Sequence, residues 1–126
     1  MSDTFSTGYA VIIGVGADLP VTVQDARGVA SILTDPTRCA YPSEHVRLLT
    51  AEEATVPHIR AALDWLAQVT GPDDTAMVYF SGHGVETPDY YLIPYGYDLA
   101  DLRRTAISGH EFTDNLGRIE ARKLLV

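Results

Sequence analysis

The sequence predicts an open α/β fold, in which helices cover both faces of a mostly parallel sheet to give three layers. Residues 9–16 form a continuous apolar run rich in β-branched side chains, which is typical of a strand buried on both faces. Strand and helix patterns then alternate along the chain, and such alternation requires crossover connections that place helices on a parallel sheet. The chain has 126 residues, 46% of them hydrophobic and 21% charged, so a single domain with one core is expected.

The further elements follow from local periodicity and from end signals. Apolar residues recur at helical spacing between a turn at residues 17–20 and Pro36, and again between Thr55 and Gly71. An apolar strand follows and stops at Gly82. In chain order, the predicted elements are a strand at 9–16, a helix at 21–34, a strand at 45–50, a helix from 55 to 70, a strand at 75–80, an extended segment at 90–94, a helix at 108–119 and a strand at 124–126.

We expect a flexible N-terminus over residues 1–8 and one domain over residues 9–126. The chain stops inside the apolar run at residues 124–126, whereas a terminal strand normally closes with polar turn residues. The domain is therefore expected to be incomplete at its C-terminal end, near the fourth strand of its sheet.

Composition excludes several classes of partner. The formal net charge is −8, and no basic cluster exceeds Arg103-Arg104, so nucleic acid is not an expected partner. No apolar segment approaches the roughly 18 residues of a membrane span, so no membrane partner is expected. Cys39 is the only cysteine, which rules out an internal disulfide and favours a cytoplasmic protein.

The end of the third predicted strand carries the strongest candidate for chemistry. His83 follows that strand, and the carboxyl ends of parallel strands are where catalytic groups collect. An imidazole transfers protons near neutral pH, while glycines on both sides permit a sharp turn and close approach of a substrate. The N–H of Gly84 could also donate to a developing oxyanion. The alternative is a structural histidine in a turn.

These residues resemble a known motif. The segment Phe80-Ser81-Gly82-His83-Gly84 is similar to the histidine motif of caspases, metacaspases and their bacterial relatives, the peptidase C14 family of clan CD. Further segments resemble the same family, namely residues 9–16, 19–26, 41–50 and 91–94 with Asp98. The resemblance implies a caspase-hemoglobinase-like fold, of which this chain is the N-terminal, p20-type portion. It also implies cysteine-type endopeptidase activity on polypeptide substrates.

The resemblance implies roles for four residues. His83 would be the general acid and base, and the Gly84 N–H would contribute to the oxyanion hole. Ser81 and Asp25 match positions that line the S1 pocket of metacaspases. A carboxylate there would select Arg or Lys at P1 through charge-assisted hydrogen bonds. The alternative for Asp25 is an acid in the first turn of a helix that complements the helix dipole.

The departures from the family pattern concern the nucleophile and calcium. The family's nucleophilic cysteine would come a few residues after Val126, so this chain alone is expected to be inactive. Cys39 precedes the histidine, and we expect it to be a small buried side chain. Gly109 and His110 stand where many metacaspases have a calcium-binding acidic pair. Since Asp98 alone cannot supply the oxygen ligands that calcium requires, we expect no metal and no cofactor.

The expected partners are a polypeptide substrate and a C-terminal, p10-like portion. A homodimer could form through an open sheet edge, because unpaired strand edges accept another strand. Two alternatives to the enzyme remain at this point. One is a catalytically inactive caspase-like module that acts as a scaffold, and the other is an unrelated α/β binding domain.

Overall fold

The structure, a computed structural model, describes residues 4–86 and 88–126. The strands of this part are β1 (Gly8–Gly14), β2 (Val46–Thr50), β3 (Thr75–Ser81), β4 (Gly84–Glu86), β5 (Tyr90–Leu92), β6 (Ile107–Ser108) and β7 (Lys123–Leu125). The helices are α1 (Val21–Thr34), α2 (Val56–Val69), α3 (Leu102–Thr105) and α4 (Gly109–Gly117). Strands and helices alternate through the first 81 residues, as the sequence predicts.

A parallel sheet in the order β2-β1-β3-β7 forms the centre of the molecule. β1 pairs with β3 along its whole length, from Gly8 opposite Thr75 to Gly14 opposite Ser81. On its other side β1 pairs with β2, and β7 adds to the far edge of β3 through three residue pairs. The first apolar run is thus an interior strand. The predicted fold class, an open parallel sheet flanked by helices, is confirmed.

Side chains of β1 alternate between two apolar layers, one on each face of the sheet. Ala10 and Ile12 pack with α1, whereas Val11 and Ile13 pack with α2. All four are fully buried, which is why the run is continuously apolar rather than alternating. Burial of an aliphatic side chain of the size of Ile12 contributes about 1.5–3 kcal/mol, so this strand anchors both halves of the core.

A small antiparallel sheet follows the carboxyl end of β3. Its order is β4-β5-β6, and it encloses a separate apolar cluster with α3. From the sequence we expected only one extended segment at residues 90–94 here. The difference has a physical cause, because strands of two or three residues carry too little periodicity to distinguish them from irregular chain.

Two ion pairs on the surface join α2 to α4 and to Arg118, the residue after α4. Arg60 Nη2 lies 2.7 Å from Glu111 Oε1, and Arg118 Nη2 lies 2.8 Å from Asp64 Oδ1. The hydrogen bond to Glu111 raises the pKa of Arg60 above its ordinary value. The hydroxyl of Ser108 caps α4 by accepting a hydrogen bond from the Glu111 N–H at 3.1 Å. The helix predicted at 108–119 therefore exists, but it is one residue shorter at its start and two residues shorter at its end.

Packing begins before the residue at which we placed the domain start. The Phe5 N–H donates to the Ala40 carbonyl at 2.8 Å, and the Phe5 ring lies 5.2 Å from that of Tyr41, edge to face. β1 itself starts at Gly8. Residues 1–3 of the predicted flexible segment lie outside the described residues.

Candidate active site

His83 lies at the carboxyl edge of the parallel sheet, between the end of β3 and the start of β4. Its carbonyl accepts a hydrogen bond from the Ile93 N–H at 3.0 Å, so its backbone is tied to the strand that returns beside β4. The side chain is 48% exposed and is therefore accessible. An imidazole in this position is held by two sheets and still meets solvent, as proton transfer requires.

The glycines on either side of His83 are required by close packing. Neither has the positive φ that favours glycine. A Cβ on Gly82 would come within 2.9 Å of Val15 Cγ2, and a Cβ on Gly84 would overlap the phenol group of Tyr90. The chain does bend at Gly82, between β3 and β4, but what requires glycine at both positions is the lack of space for a side chain. They let the neighbouring segments close in around the histidine.

A carboxylate that the sequence analysis did not select contacts His83. The two carboxylate oxygens of Asp18 lie 3.1 and 3.2 Å from His83 Nε2. Asp18 follows β1, and His83 follows the neighbouring strand β3, so both residues emerge at the same edge of the sheet. We treated residues 17–20 only as a turn. An acid at the carboxyl end of the strand adjacent to the histidine was the signal that could have identified it.

The loop that carries Asp18 is fixed at several points. Gly16 and Ala17 both have positive φ, of 74° and 56°. Before them, the Val15 N–H donates to the Ser81 carbonyl at 3.0 Å. After them, the buried hydroxyl of Thr22 accepts from the Gly16 N–H at 2.8 Å. The loop is thereby held against β3 on one side and against α1 on the other.

A cavity of about 650 Å³ lies beside His83. Its wall is mostly apolar and includes Phe80, Tyr90 and Phe112 together with His83. Leu125, the last residue of β7, and Val126, which follows it, also line this cavity. A second cavity of the same volume lies between Tyr90 and His110, and His83 does not line it.

The two predicted pocket residues lie toward the same edge of the sheet as His83, but neither lines the cavity beside it. Ser81 is the last residue of β3 and is half-buried. Asp25 is exposed on α1. The next residue, Ala26, packs against Gly14 at the end of β1, where a Cβ on the glycine would stand 2.7 Å from the Ala26 Cβ. The Asp25 carboxylate makes no hydrogen bond or ion pair within residues 4–86 and 88–126. As the fifth residue of α1 it lies beyond the first turn, which does not favour the helix-dipole alternative.

Cys39 cannot meet His83 in this fold. It lies in the turn between α1 and β2, at the amino edge of the sheet, whereas His83 lies at the carboxyl edge. The seven residues of β1 separate these edges by roughly 20 Å. Cys39 is also exposed, so our expectation of a buried side chain is wrong.

Among the described residues, no three His, Cys, Asp or Glu side chains are grouped so as to hold a metal ion. The Asp98 carboxylate instead accepts a hydrogen bond from the Ala100 N–H at 3.0 Å and caps a short 3₁₀ turn. Over the same part of the chain, no helix has the length and apolar character needed to cross a membrane.

Several known proteins are similar to this chain. Metacaspase-1 of Cryptococcus neoformans var. neoformans serotype D (strain JEC21) is 31% identical over 89% of this chain and 26% of its own length. Metacaspase-1B of Aspergillus terreus is 32% identical over 89% of this chain and 31% of its own length. The chain thus spans about a quarter to a third of these relatives.

A solved structure shares the fold. The crystal structure of protein GSU0716 from Geobacter sulfurreducens superimposes with a TM-score of 0.68, at 19% identity, over 94% of this chain and 47% of that one. At the level of families, the Peptidase C14 model, described as the caspase domain, matches residues 7–124. This chain therefore belongs to the caspase-domain family, peptidase C14, whose members include the metacaspases that it resembles.

Proposed function

We propose that this chain is the N-terminal, p20-type portion of a cysteine endopeptidase in which His83 is the general acid and base. The observation that carries the proposal is the position of His83, exposed at the carboxyl edge of the sheet and lining a cavity that the end of β7 also reaches. The family to which the chain belongs consists of cysteine peptidases of the caspase type.

The register of β7 supports a nucleophile just beyond this chain. β7 runs parallel to β3, with Lys123 opposite Thr75 and Leu125 opposite Met77. A strand continued in that register would bring the third to fifth residues after Val126 opposite Ser81 to His83. We place the nucleophilic cysteine of the complete protein there, within reach of the imidazole.

The proposed reaction uses this chain at two steps. The cysteine thiolate attacks the substrate carbonyl, the negative charge collects on the carbonyl oxygen, and the Gly84 N–H donates to it. His83 then protonates the departing amine as the C–N bond breaks and the acyl-enzyme forms. In the second half, His83 takes a proton from water, which attacks the acyl carbon and releases the thiolate.

We assign substrate recognition to Asp25 and Ser81. The Asp25 carboxylate is exposed at the edge that carries His83 and has no partner within the described residues. An unpaired carboxylate in this place suits the guanidinium or ammonium group of a P1 Arg or Lys, which a substrate would bring. Ser81 would contribute a hydroxyl at the end of β3.

The proposed partners follow from the exposed edge of the sheet. Leu124 and Leu125 on β7 are 36% and 55% exposed, and β7 has a neighbour on one side only within the described residues. A C-terminal, p10-like portion could continue the sheet there. A homodimer through a sheet edge remains part of the proposal, as does a cytoplasmic location.

The rival function is a catalytically inactive caspase-like module that acts as a scaffold. It is favoured by one observation, namely that the only cysteine of this chain lies at the opposite edge of the sheet from His83. The two functions differ in whether the complete protein depends on His83 for peptide hydrolysis.

The test is His83→Ala in the full-length protein, with His110→Ala as the matched control because His110 is also exposed and lines only the second cavity. We expect His83→Ala to lower kcat/KM on Arg and Lys peptides by about 10²–10⁴-fold, with an unchanged circular dichroism spectrum, and the control to retain activity. Full activity of His83→Ala would contradict the proposal.

The 126-residue chain alone should be inactive, and thiol-sensitive turnover that disappears in Cys39→Ser would contradict the placement of the nucleophile.

A further inference from the structure

We propose that Asp18 is a positioning residue for His83. In this arrangement the Asp18 carboxylate accepts the Nε2–H of the imidazole, so that Nδ1 is the nitrogen that exchanges protons during catalysis. The inference rests on the proposed role of His83 and adds a residue that fixes its tautomer and its orientation.

The contact geometry determines which nitrogen carries the proton. Both oxygens of Asp18 face His83 Nε2, at 3.1 and 3.2 Å. An ionised carboxylate can only accept hydrogen bonds, so Nε2 must be the donor. In a neutral imidazole the other nitrogen then carries the lone pair, and the partner of one nitrogen thereby decides the role of the other.

The loop between β1 and α1 has the features of a segment built to present this carboxylate. Ala17 has a φ of 56°, and a left-handed alanine persists only where its surroundings hold it there. Those surroundings are the hydrogen bond from Val15 to the carbonyl of Ser81 and the bond from Gly16 to the Thr22 hydroxyl. Because Ser81 stands two residues before His83, the same bond that fixes the loop also fixes its distance from the histidine.

Close packing of Val15 against Gly82 also holds the loop near His83. Val15 Cγ2 lies so near Gly82 that a Cβ there would stand 2.9 Å away. Val15, which precedes the loop that carries Asp18, is therefore in contact with Gly82, which precedes His83. The two segments cannot separate without loss of this contact, so the spacing of the acid and the imidazole is set by backbone packing.

The contact between Asp18 and His83 should affect catalysis more than the stability of the fold. Asp18 is 74% exposed, and exposed ion pairs contribute little to the stability of a fold. Its effect on the histidine is larger, because the carboxylate restricts rotation of the ring and fixes which nitrogen carries the proton. Loss of Asp18 should consequently change the state of the ring and the turnover rate while the fold persists.

The first test uses the 126-residue chain and needs no catalysis. Long-range ¹H–¹⁵N spectra of the ring of His83 should show a single Nε2–H tautomer in the wild type. Asp18→Ala should show a mixture of tautomers, whereas Asp18→Asn should keep mostly the wild-type pattern because its amide oxygen still accepts the hydrogen bond. Asp73→Ala is the control, since Asp73 is an exposed acid in the turn before β3, at the amino edge of the sheet. A wild-type tautomer pattern in Asp18→Ala would overturn the proposal.

The second test measures kinetics in the full-length protein. Asp18→Ala should lower kcat by up to about 10²-fold with KM unchanged, as expected for a misplaced catalytic group, and Asp18→Asn should restore most of the loss. An effect confined to KM would overturn the positioning role. The experiments distinguish a failure of the proposed function from a failure of the role proposed for Asp18. If His83→Ala has no effect on activity, the proposed function fails, and if His83 is essential but Asp18→Ala changes neither kcat nor the tautomer, only the role of Asp18 fails.

Discussion

Asp18 and Asp25 lie at the same edge of the sheet but differ in what they contact. Asp18 has His83 as its partner, whereas Asp25 has no hydrogen-bonding or ionic partner within the described residues. A carboxylate that is already paired inside the protein orients a catalytic group, and one without a partner is available to a substrate cation. We therefore propose Asp25, rather than Asp18, as the carboxylate that a basic substrate side chain would meet.

The specificity proposed for Asp25 predicts how Asp25→Ala changes the preference for the P1 residue. A bound P1 side chain would desolvate the carboxylate, and Asp25→Ala would leave the substrate's charge without a partner. We expect a loss of roughly 3–5 kcal/mol in transition-state stabilisation for Arg and Lys substrates, by analogy with broken buried ion pairs. The measurement is kcat/KM over a P1 library with the full-length wild type, Asp25→Ala and the control Asp73→Ala.

Folding should be almost unaffected, since Asp25 is exposed and surface substitutions usually change stability by less than about 0.5 kcal/mol. Two results would refute the assignment of Asp25 to the P1 pocket. One is cleavage after Asp by the wild type, and the other is an undiminished Arg preference in Asp25→Ala.

Helix α1 packs close to β1 because Gly14 on the strand has no side chain. Gly14 on β1 lets the helix approach so closely that a Cβ there would stand 2.7 Å from that of Ala26 and would overlap the carbonyl of Thr22. Gly28 lies within the same helix, but a Cβ there would have no neighbour within 4 Å. One glycine therefore sets the distance between helix and sheet, and the other serves no packing purpose.

These two glycines give a matched pair of substitutions. Gly28→Ala should raise the free energy of unfolding by about 0.5–1 kcal/mol, because alanine is favoured in a helix interior and nothing obstructs its methyl group. Gly14→Ala should lower it by about 1–3 kcal/mol through overpacking against α1. Urea denaturation of the 126-residue chain measures both changes. Equal shifts in the same direction would show that the close approach of α1 to β1 does not constrain the fold.

The longer elements could be predicted from the sequence, and the shorter ones could not. The bounds expected for α1 match the observed helix residue for residue, because its apolar positions repeat over four turns and Pro36 marks its end. Strands β4 and β6 have three and two residues, too few to show a period. Their existence depends on pairing with β5, which is a tertiary property.

The site divides in the same way. His83 could be selected because its strand, its glycines and its motif lie within a few adjacent residues. Asp18 lies 65 positions earlier, and only the order of strands in the sheet brings it to the histidine. The glycines were recognised, but their packing role was not, because Val15 and Tyr90 approach them from elsewhere in the chain. Contacts across the sheet edge are thus the part of the site that local patterns do not contain.

At the scale of the whole molecule, stability should be distributed unevenly across the sheet. β1 has partners on both sides and includes Val11, Ile12 and Ile13, which are fully buried. Within the described residues, β7 is paired only with β3, through three residues that are all exposed. Local opening requires little free energy where few apolar contacts are lost, so β7 should open independently of the core.

Native-state hydrogen exchange tests this expectation on the 126-residue chain. Amides of β1 and of the facing part of β3 should exchange only through global unfolding, whereas those of β7 should exchange first, through local opening. β2 is the internal control, because it is also an edge strand but pairs over five residues and ends at the buried Thr50. Its protection should therefore fall between the two. Protection of β7 equal to that of β1 would contradict this gradient, and it would also mean that the segment that lines the His83 cavity is already fixed without any further strand beside it.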